Sequence, residues 1–408
     1  MIISWPEVVL CLDGDAFFAS VTQAVHPELK GKPVVTGYER GIATAVSYEA
    51  RALGVKRGDR CWEIAKKYPT VVITHSDYRI YHLFSEKMFS VMRKYSPCVE
   101  VYSVDEGFCD LKGMRRPLHM SYEQIAKAIK DEIEKSLGIT VSIGVSVTKS
   151  LAKLAVNKNK PSGLTIVPGK EIDQLLKEVP VNKIWGIGGA TTAFLGKLNI
   201  NTAYEFAKKP ESFIKQHFSK PYQEIWHELN GEMIYGVNPD AKREYKSMTR
   251  SSTVTPPTND KDILWARLLA HVEDVFFKAR NYNYAVKRVS LYLKSQDFHH
   301  HEVEIKLPEA TSFPMSIRRE LKEGFEKIYK KNTLYRASGA TIYDFCENTQ
   351  KQASLFFGNG GMEEKAKKVY PSLESKKVDF GTSLFDSDRL IRKKKEIKLS
   401  IPLLSRLE

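Results

Sequence analysis

Across its first 168 residues the chain alternates short apolar runs with longer stretches whose apolar positions recur at helical spacing. Val8-Val9-Leu10-Cys11-Leu12 is unbroken and too short for a helix, so it reads as a buried strand. Val34-Val35, Val71-Val72-Ile73 and segments 100–103, 107–111, 140–146 and 164–167 read as further strands. Segments 81–95 and 122–137 read as helices. Within this part, 39–68 is polar, basic and punctuated by glycine, which suits a small subdomain that covers a substrate. From about 170 to 236 the pattern turns mostly helical, and 237–246 reads as a charged linker. Beyond it come strand, helix, strand, strand, helix and strand at 247–254, 263–280, 285–294, 302–307, 316–330 and 335–345. That order is a split βαβ pattern. The remainder, 347–408, is a polar, basic tail.

Composition adds a partner to this picture. The 408 residues are 42% hydrophobic and carry a net charge of +14. That length accommodates about two to four domains with real cores. The charge points to a polyanion, most simply nucleic acid. Five cysteines are scattered with no Cys-x-x-Cys pair, which argues for reduced thiols in a cytoplasmic setting and against a zinc site. The N-terminal Met1-Ile2-Ile3-Ser4-Trp5-Pro6-Glu7 has neither a basic n-region nor a long apolar segment, so no signal peptide or membrane anchor is expected.

The candidate chemistry lies at two strand ends. Asp105 and Glu106 stand side by side between two β-favouring runs within 99–111. Adjacent acids at a tight turn repel, and a divalent cation between them removes the cost. A matching half-site follows the first strand at Asp13-Gly14-Asp15. Asp-Gly is also the commonest hairpin signal. The following Ala16-Phe17-Phe18 is too apolar for an ordinary surface turn. Gly186-Ile187-Gly188-Gly189 and the Leu195-Gly196-Lys197-Leu198 that follows read as a helix–hairpin–helix. Its backbone N–H groups would face a DNA phosphate. Lys287, Arg288, Lys294 and Arg336 mark an open basic sheet suited to a nucleic-acid backbone. His299-His300-His301 is expected in a loop between strands, where consecutive residues alternate in direction and cannot share one ion. Gln352-Ala353-Ser354-Leu355-Phe356-Phe357 is an apolar plug in the polar tail, either a core contact or a docking motif.

Taken together these residues resemble the Y-family translesion DNA polymerases, in the bacterial branch of the SOS mutagenesis enzymes. The likeness covers most of 8–345 and follows one motif order. Asp13-Gly14-Asp15-Ala16-Phe17-Phe18-Ala19-Ser20-Val21 comes first, then Ser47-Tyr48-Glu49-Ala50-Arg51-Ala52-Leu53-Gly54-Val55. Ser103-Val104-Asp105-Glu106-Gly107-Phe108-Cys109-Asp110 follows, then Ser142-Ile143-Gly144-Val145-Ser146 with Lys149, Leu151-Ala152-Lys153-Leu154-Ala155 and Lys160-Pro161-Ser162-Gly163, and lastly the helix–hairpin–helix.

The resemblance implies an α+β multidomain right hand. Its ferredoxin-like palm would be 1–16 and 79–168, its small fingers 17–78, and its helix–hairpin–helix thumb 169–236. A split βαβ little finger would occupy 247–346. Asp13, Asp105 and Glu106 would be catalytic and would bind two Mg2+ ions, with the Gly14 carbonyl as a further ligand. Phe17, Phe18, Tyr48, Arg51 and Lys160 would contact the incoming nucleotide, Phe18 as the gate against a ribose 2′-hydroxyl. Gly186, Gly188, Gly189 and the four basic sheet residues would contact primer–template DNA. Gln352, Ser354, Leu355 and Phe356 are similar to the peptide that docks bacterial polymerases on the sliding clamp. Many relatives carry a bulkier residue where Gly14 stands, often Ala where Gly107 stands, and in some cases Asn where Ser47 stands.

The implied activity is template-directed, low-fidelity addition of dNTPs past damaged bases, by a cytoplasmic, nucleoid-associated monomer that serves DNA repair. Two other readings compete. A catalytically inactive scaffold that binds DNA and the clamp is disfavoured by the presence of all three carboxylates. A nucleotidyl cyclase is disfavoured by the helix–hairpin–helix and the basic C-terminal domain.

Overall fold

The computed structural model describes residues 5–240 and 244–347, and Tyr370 beyond them. They form two compact units that divide at about residue 241. In chain order the first unit contains strands β1 (Val9–Gly14), β2 (Val34–Thr36), β3 (Ala45–Val46), β4 (Val72–Thr74), β5 (Val99–Val101), β6 (Glu106–Asp110), β7 (Val141–Ser146) and β8 (Leu164–Ile166).

Five of these strands form one sheet in the order β5-β6-β1-β7-β8, with β1 central and antiparallel to both neighbours. Leu10 and Leu12 point to one face, with Ile143 and Val145 of β7. Helices Phe17–Val25, Tyr78–Tyr95 and Tyr122–Leu137 bury that face with Phe84, Met88, Ile125 and Ile129. Val9 and Cys11 point to the opposite face, where Phe108, Ala152 and Val156 cover them and Trp185, Met233 and Val237 pack alongside. A central strand buried on both faces has to be apolar throughout, which is why 8–12 shows no alternation.

Helix Lys149–Lys158 lies unusually close to this second face. A Cβ on Gly144 would come within 2.3 Å of the Val156 nitrogen and 2.4 Å of the Ala152 carbonyl oxygen. Its N-terminus is fixed from the helical region that follows. The hydroxyl of the N-cap Thr148 accepts from Leu151 N–H and donates to the Glu228 carbonyl, and the buried Glu228 carboxylate accepts from Ser150 N–H at 3.0 Å. The other Glu228 oxygen accepts from Ile234 and Tyr235 N–H at 2.8 and 2.9 Å.

Strands β2, β3 and β4 form a separate three-stranded sheet with its own core of Val35, Val46, Ala50, Val55, Ile64 and Val71. Residues 172–229 are helical, with Leu175, Leu176, Leu195, Phe206 and Ile225 in a common core. Within the expected helix–hairpin–helix, helices Ile172–Glu178 and Gly189–Lys197 are joined by a stretch that includes a 3-10 turn at Val181–Lys183. The start of the expected linker is held down: Asn238 N–H donates to Glu100 Oε2 at 2.6 Å, and the Cys98 thiol donates to the Val237 carbonyl.

The second unit is a four-stranded antiparallel sheet of β9 (Ser247–Thr258), β10 (Tyr284–Ser295), β11 (His300–Thr311) and β12 (Tyr335–Glu347), ordered β11-β10-β12-β9. Helices Lys261–Asn281 and Arg318–Ile328 cover one face with Leu264, Leu268, Phe276, Leu321 and Phe325. The expected order of elements is present, but the strands run longer than the sequence pattern indicates. His300 and His301 belong to β11, where pairing with Lys294 and Leu293 continues the ladder into residues expected to form a loop. The clamp-like motif at 352–357 lies outside the described residues. Among the described residues no helix is long and apolar enough to cross a membrane.

Candidate active site

Strand alternation decides which way the acids face. Asp13 points to the same side as Val9 and Cys11, and its register partner across β1 and β6 is Glu106. Both carboxylates therefore meet the face covered by helix Lys149–Lys158. Lys153 projects from that helix, its Nζ 2.6 Å from Asp13 Oδ2 and 2.8 Å from Glu106 Oε1. Lys160, just beyond the helix, pairs with the other oxygen of Asp13. Glu106 Oε1 is buried and makes no aligned hydrogen bond despite its nearness to the ammonium.

The two acids differ electrostatically. Burial would raise the Asp13 carboxyl, but Lys153 and then Lys160 outweigh it, so its pKa lies below the usual range. Burial also raises Glu106; Lys153 opposes this only in part while Asp13 and Asp105 add to it, so its pKa lies above the ordinary value. For Lys153, burial works to remove the proton, and the surrounding groups hold it more strongly. Cys11 is fully buried and its thiol is itself pushed up, so Asp13 and Glu106 are the charged partners that matter.

Asp105 does not join them. Its Oδ1 accepts from Ser103 Oγ at 2.7 Å within its own turn, and its carbonyl accepts from Gly14 N–H at 2.8 Å. Among the described residues no group of three His, Cys, Asp or Glu side chains is disposed to hold a metal as the chain stands. The expected three-carboxylate site is thus present as an acid pair around an ammonium, with the third acid bonded to a neighbouring hydroxyl.

The two unusual glycines make room for rings. A Cβ on Gly14 would meet Phe17 Cδ2 at 2.8 Å, and one on Gly107 would meet Phe89 Cε1 at 2.5 Å. Phe17 is buried, whereas Phe18 is half-buried and stacks on Tyr81 with centroids 4.2 Å apart and planes 9° from parallel. Tyr78 meets Phe18 edge-on at 5.7 Å. The left-handed Ala16, φ 47°, turns β1 sharply into the helix carrying both rings.

Ser47 caps the short helix Tyr48–Ala52, accepting from Ala50 N–H, and also accepts from Val34 N–H at 3.0 Å. On that helix the Arg51 guanidinium lies 4.7 Å from the Tyr48 ring centre. Burial first, then the charge of Asp15, raises the Tyr48 hydroxyl. In the helical region Gly186 adopts φ 91°, and Gly188 and Gly189 open the next helix with open space where a side chain would stand.

In the second unit the uncovered sheet face is polar rather than uniformly basic. Thr249, Ser251, Thr253, Ser290 and Thr341 line it with hydroxyls, beside Glu302 and Glu304. Arg288 is committed to Asp344 and Glu304 at 3.0 and 3.4 Å. Lys287 is exposed at a register shift. Lys294 and Arg336 both lie over the ring of the exposed Phe298.

Two residues at the acid pair received no role from sequence reasoning. Lys153 stood inside a recognised motif, and its signal was a lysine on a helix whose neighbours Leu151, Ala152, Leu154, Ala155 and Val156 are all buried. In the sequence Asp15 is no more than part of the Asp13-Gly14-Asp15 turn. It is 1% exposed and accepts hydrogen bonds from Ser142 and Ser162.

A mixed five-stranded sheet whose central strands β1 and β6 end in a pair of acids, in one chain with a small three-stranded sheet and a helical region, has the architecture of a palm-type nucleotidyltransferase. Models of the impB/mucB/samB family match residues 12–157, and those of its C-terminal domain match 245–355. DNA polymerase IV of Listeria innocua is 30% identical over 344 residues, covering 82% of this chain and 94% of that protein. DNA polymerase IV 1 of Bacillus subtilis is 28% identical over 397 residues, covering 95% and 94%. A solved Y-family DNA polymerase chimera superposes with TM-score 0.69 at 25% identity, covering 84% of this chain and all of the chimera. The chain belongs to the impB/mucB/samB family of Y-family DNA polymerases, and it is a translesion DNA-directed DNA polymerase.

Replacing Lys153 by Met leaves Asp13 and Glu106 facing each other with one cation fewer. In chelator, the apparent unfolding midpoint should fall by the equivalent of about 3 kcal/mol. An unchanged midpoint would show that the ammonium is not their counter-ion.

Proposed function

We propose that Asp13, Asp105 and Glu106, with the Gly14 carbonyl, hold two Mg2+ ions for primer extension. The observation that carries this reading is the register pairing of Asp13 with Glu106 around a single cation. Hard carboxylate oxygens suit Mg2+, and Asp13 and Glu106 turn theirs toward one point, which the Lys153 ammonium holds in the chain as it stands. When bound, the metals activate the primer 3′-hydroxyl and neutralise the leaving pyrophosphate. Asp105 joins the set by turning its side chain away from Ser103.

The remaining residues bind and orient. Lys160 exchanges one anion for another, leaving Asp13 for the triphosphate. Arg51 and Tyr48 approach the same phosphates as a pair held by their own ring contact. Phe18, fixed against Tyr81, has no freedom to yield to a ribose 2′-hydroxyl. The helix N-terminus at Gly188 and Gly189 receives a DNA phosphate, with Gly186 making the turn before it. The hydroxyl-lined sheet with Lys287, Arg288, Lys294 and Arg336 follows the duplex backbone. Palm, fingers, thumb and little finger are assigned to 1–16 with 79–168, 17–78, 169–236 and 247–346. Gln352, Ser354, Leu355 and Phe356 dock a monomeric, nucleoid-associated enzyme on the bacterial sliding clamp.

Three measurements check this. Titration of Mn2+ into the enzyme with primer–template and a non-reactive dNTP analogue, followed by electron paramagnetic resonance, should count two ions per chain and fewer in Glu106→Ala. An undiminished count removes the metal assignment. Phe18→Ala should admit ribonucleotides, and unchanged sugar selection would place the gate elsewhere. Replacing Leu355 and Phe356 by Ala should abolish stimulation by the clamp and leave basal synthesis intact. Equal stimulation would end the docking claim.

A further inference from the structure

We infer that Asp15 is the positioning residue for Lys160; this rests on the reading of Lys160 as a triphosphate contact. Asp15 is an acid almost wholly removed from solvent that forms no ion pair among the described residues. A carboxylate is retained in such a place only where hydrogen bonds replace its water. Its Oδ2 accepts from Ser162 N–H at 2.7 Å, and Ser142 Oγ lies 2.8 and 3.1 Å from its two oxygens. Ser142 Oγ in turn accepts from Gly163 N–H at 3.2 Å. Asp15 thus holds, directly and through Ser142, the two residues that follow Lys160-Pro161.

The loop itself is tightly constrained. Ser162 is left-handed at φ 55°, and a Cβ on Gly163 would come within 2.1 Å of the Asn159 carbonyl oxygen. From its other side, Ser162 Oγ donates to Glu134 Oε1 at 2.8 Å and accepts from Lys130 Nζ at 2.7 Å. The tether to Asp15 differs from these in where it leads. Residues 13 and 15 of one segment receive residues 160 and 162 of the other, which ties the loop to the end of β1 at two adjacent points, one of them Asp13 itself. The tether therefore fixes where the lysine leaves the backbone relative to the metal-binding acid. It leaves the side chain free to exchange Asp13 for a phosphate.

The test is a double-mutant cycle on single-nucleotide insertion by the full-length enzyme. Asp15→Asn keeps the shape but presents an amide where two donors converge. It should raise KM for dNTP about tenfold and leave kcat within about twofold, the loss of one charged hydrogen bond. In a Lys160→Ala background the same substitution should cost nothing further. If Asp15→Asn does not fold, Ser142→Ala, which removes the bridge and keeps the carboxylate, carries the same cycle. A loss in kcat with KM unchanged, or a full penalty retained without Lys160, overturns the inference and leaves the role of Lys160 standing. Unchanged KM in Lys160→Ala alone overturns both.

Discussion

Everything at the active edge depends on gathering negative charge at one end of a sheet whose interior is apolar. Asp13 and Glu106 are register partners, so the ladder that makes the core also forces two carboxylates together. Such a pair costs stability unless a cation or a shared proton offsets the repulsion. Helix Lys149–Lys158 supplies one in Lys153, and the loop after it supplies a second in Lys160. The helix reaches the acids because residue 144 is a glycine and because a buried glutamate from the following region holds its first turn. The chemistry and the fold therefore share one element. What places the lysine on the acids is the same packing that buries Cys11 and Phe108.

In the chain as it stands Lys153 and Lys160 are the cations that meet Asp13 and Glu106. On the proposed reading these ammonium groups hold the place that divalent ions take on loading, and Lys160 passes from Asp13 to the incoming triphosphate. The contacts of Asp13 with Lys160 and of Asp15 with Ser162 would keep that exchange local.

Much of this was legible in the chain. The unbroken run at 8–12 gave a strand buried on both faces, and helix Tyr122–Leu137 lies where its periodicity placed it, with a Ser121–Gln124 capping box and left-handed Gly138 at its ends. The meeting of Asp13 and Glu106 is legible because polar residues at the end of an apolar strand are costly without a partner, and Lys153 is that partner. Other features had no local signal. Lys153 meets Asp13 across 140 positions and Ser162 meets Asp15 across 147, separations over which a single sequence carries no pairing information. Strands β9 and β11 outrun the pattern because cross-strand pairing extends them through polar residues such as Thr258 and His300. The hydrogen bond that Asp105 accepts from the hydroxyl of Ser103, two residues away, has no signal in the hydrophobic pattern either.

The central claim is that these carboxylates run template-directed DNA synthesis. Primer extension on an undamaged template with Mg2+ and dNTPs, comparing the wild type with the Asp105→Ala/Glu106→Ala double variant, tests it most directly. The account predicts extension by the wild type alone, with both proteins binding primer–template equally. Comparable extension by the double variant would contradict it.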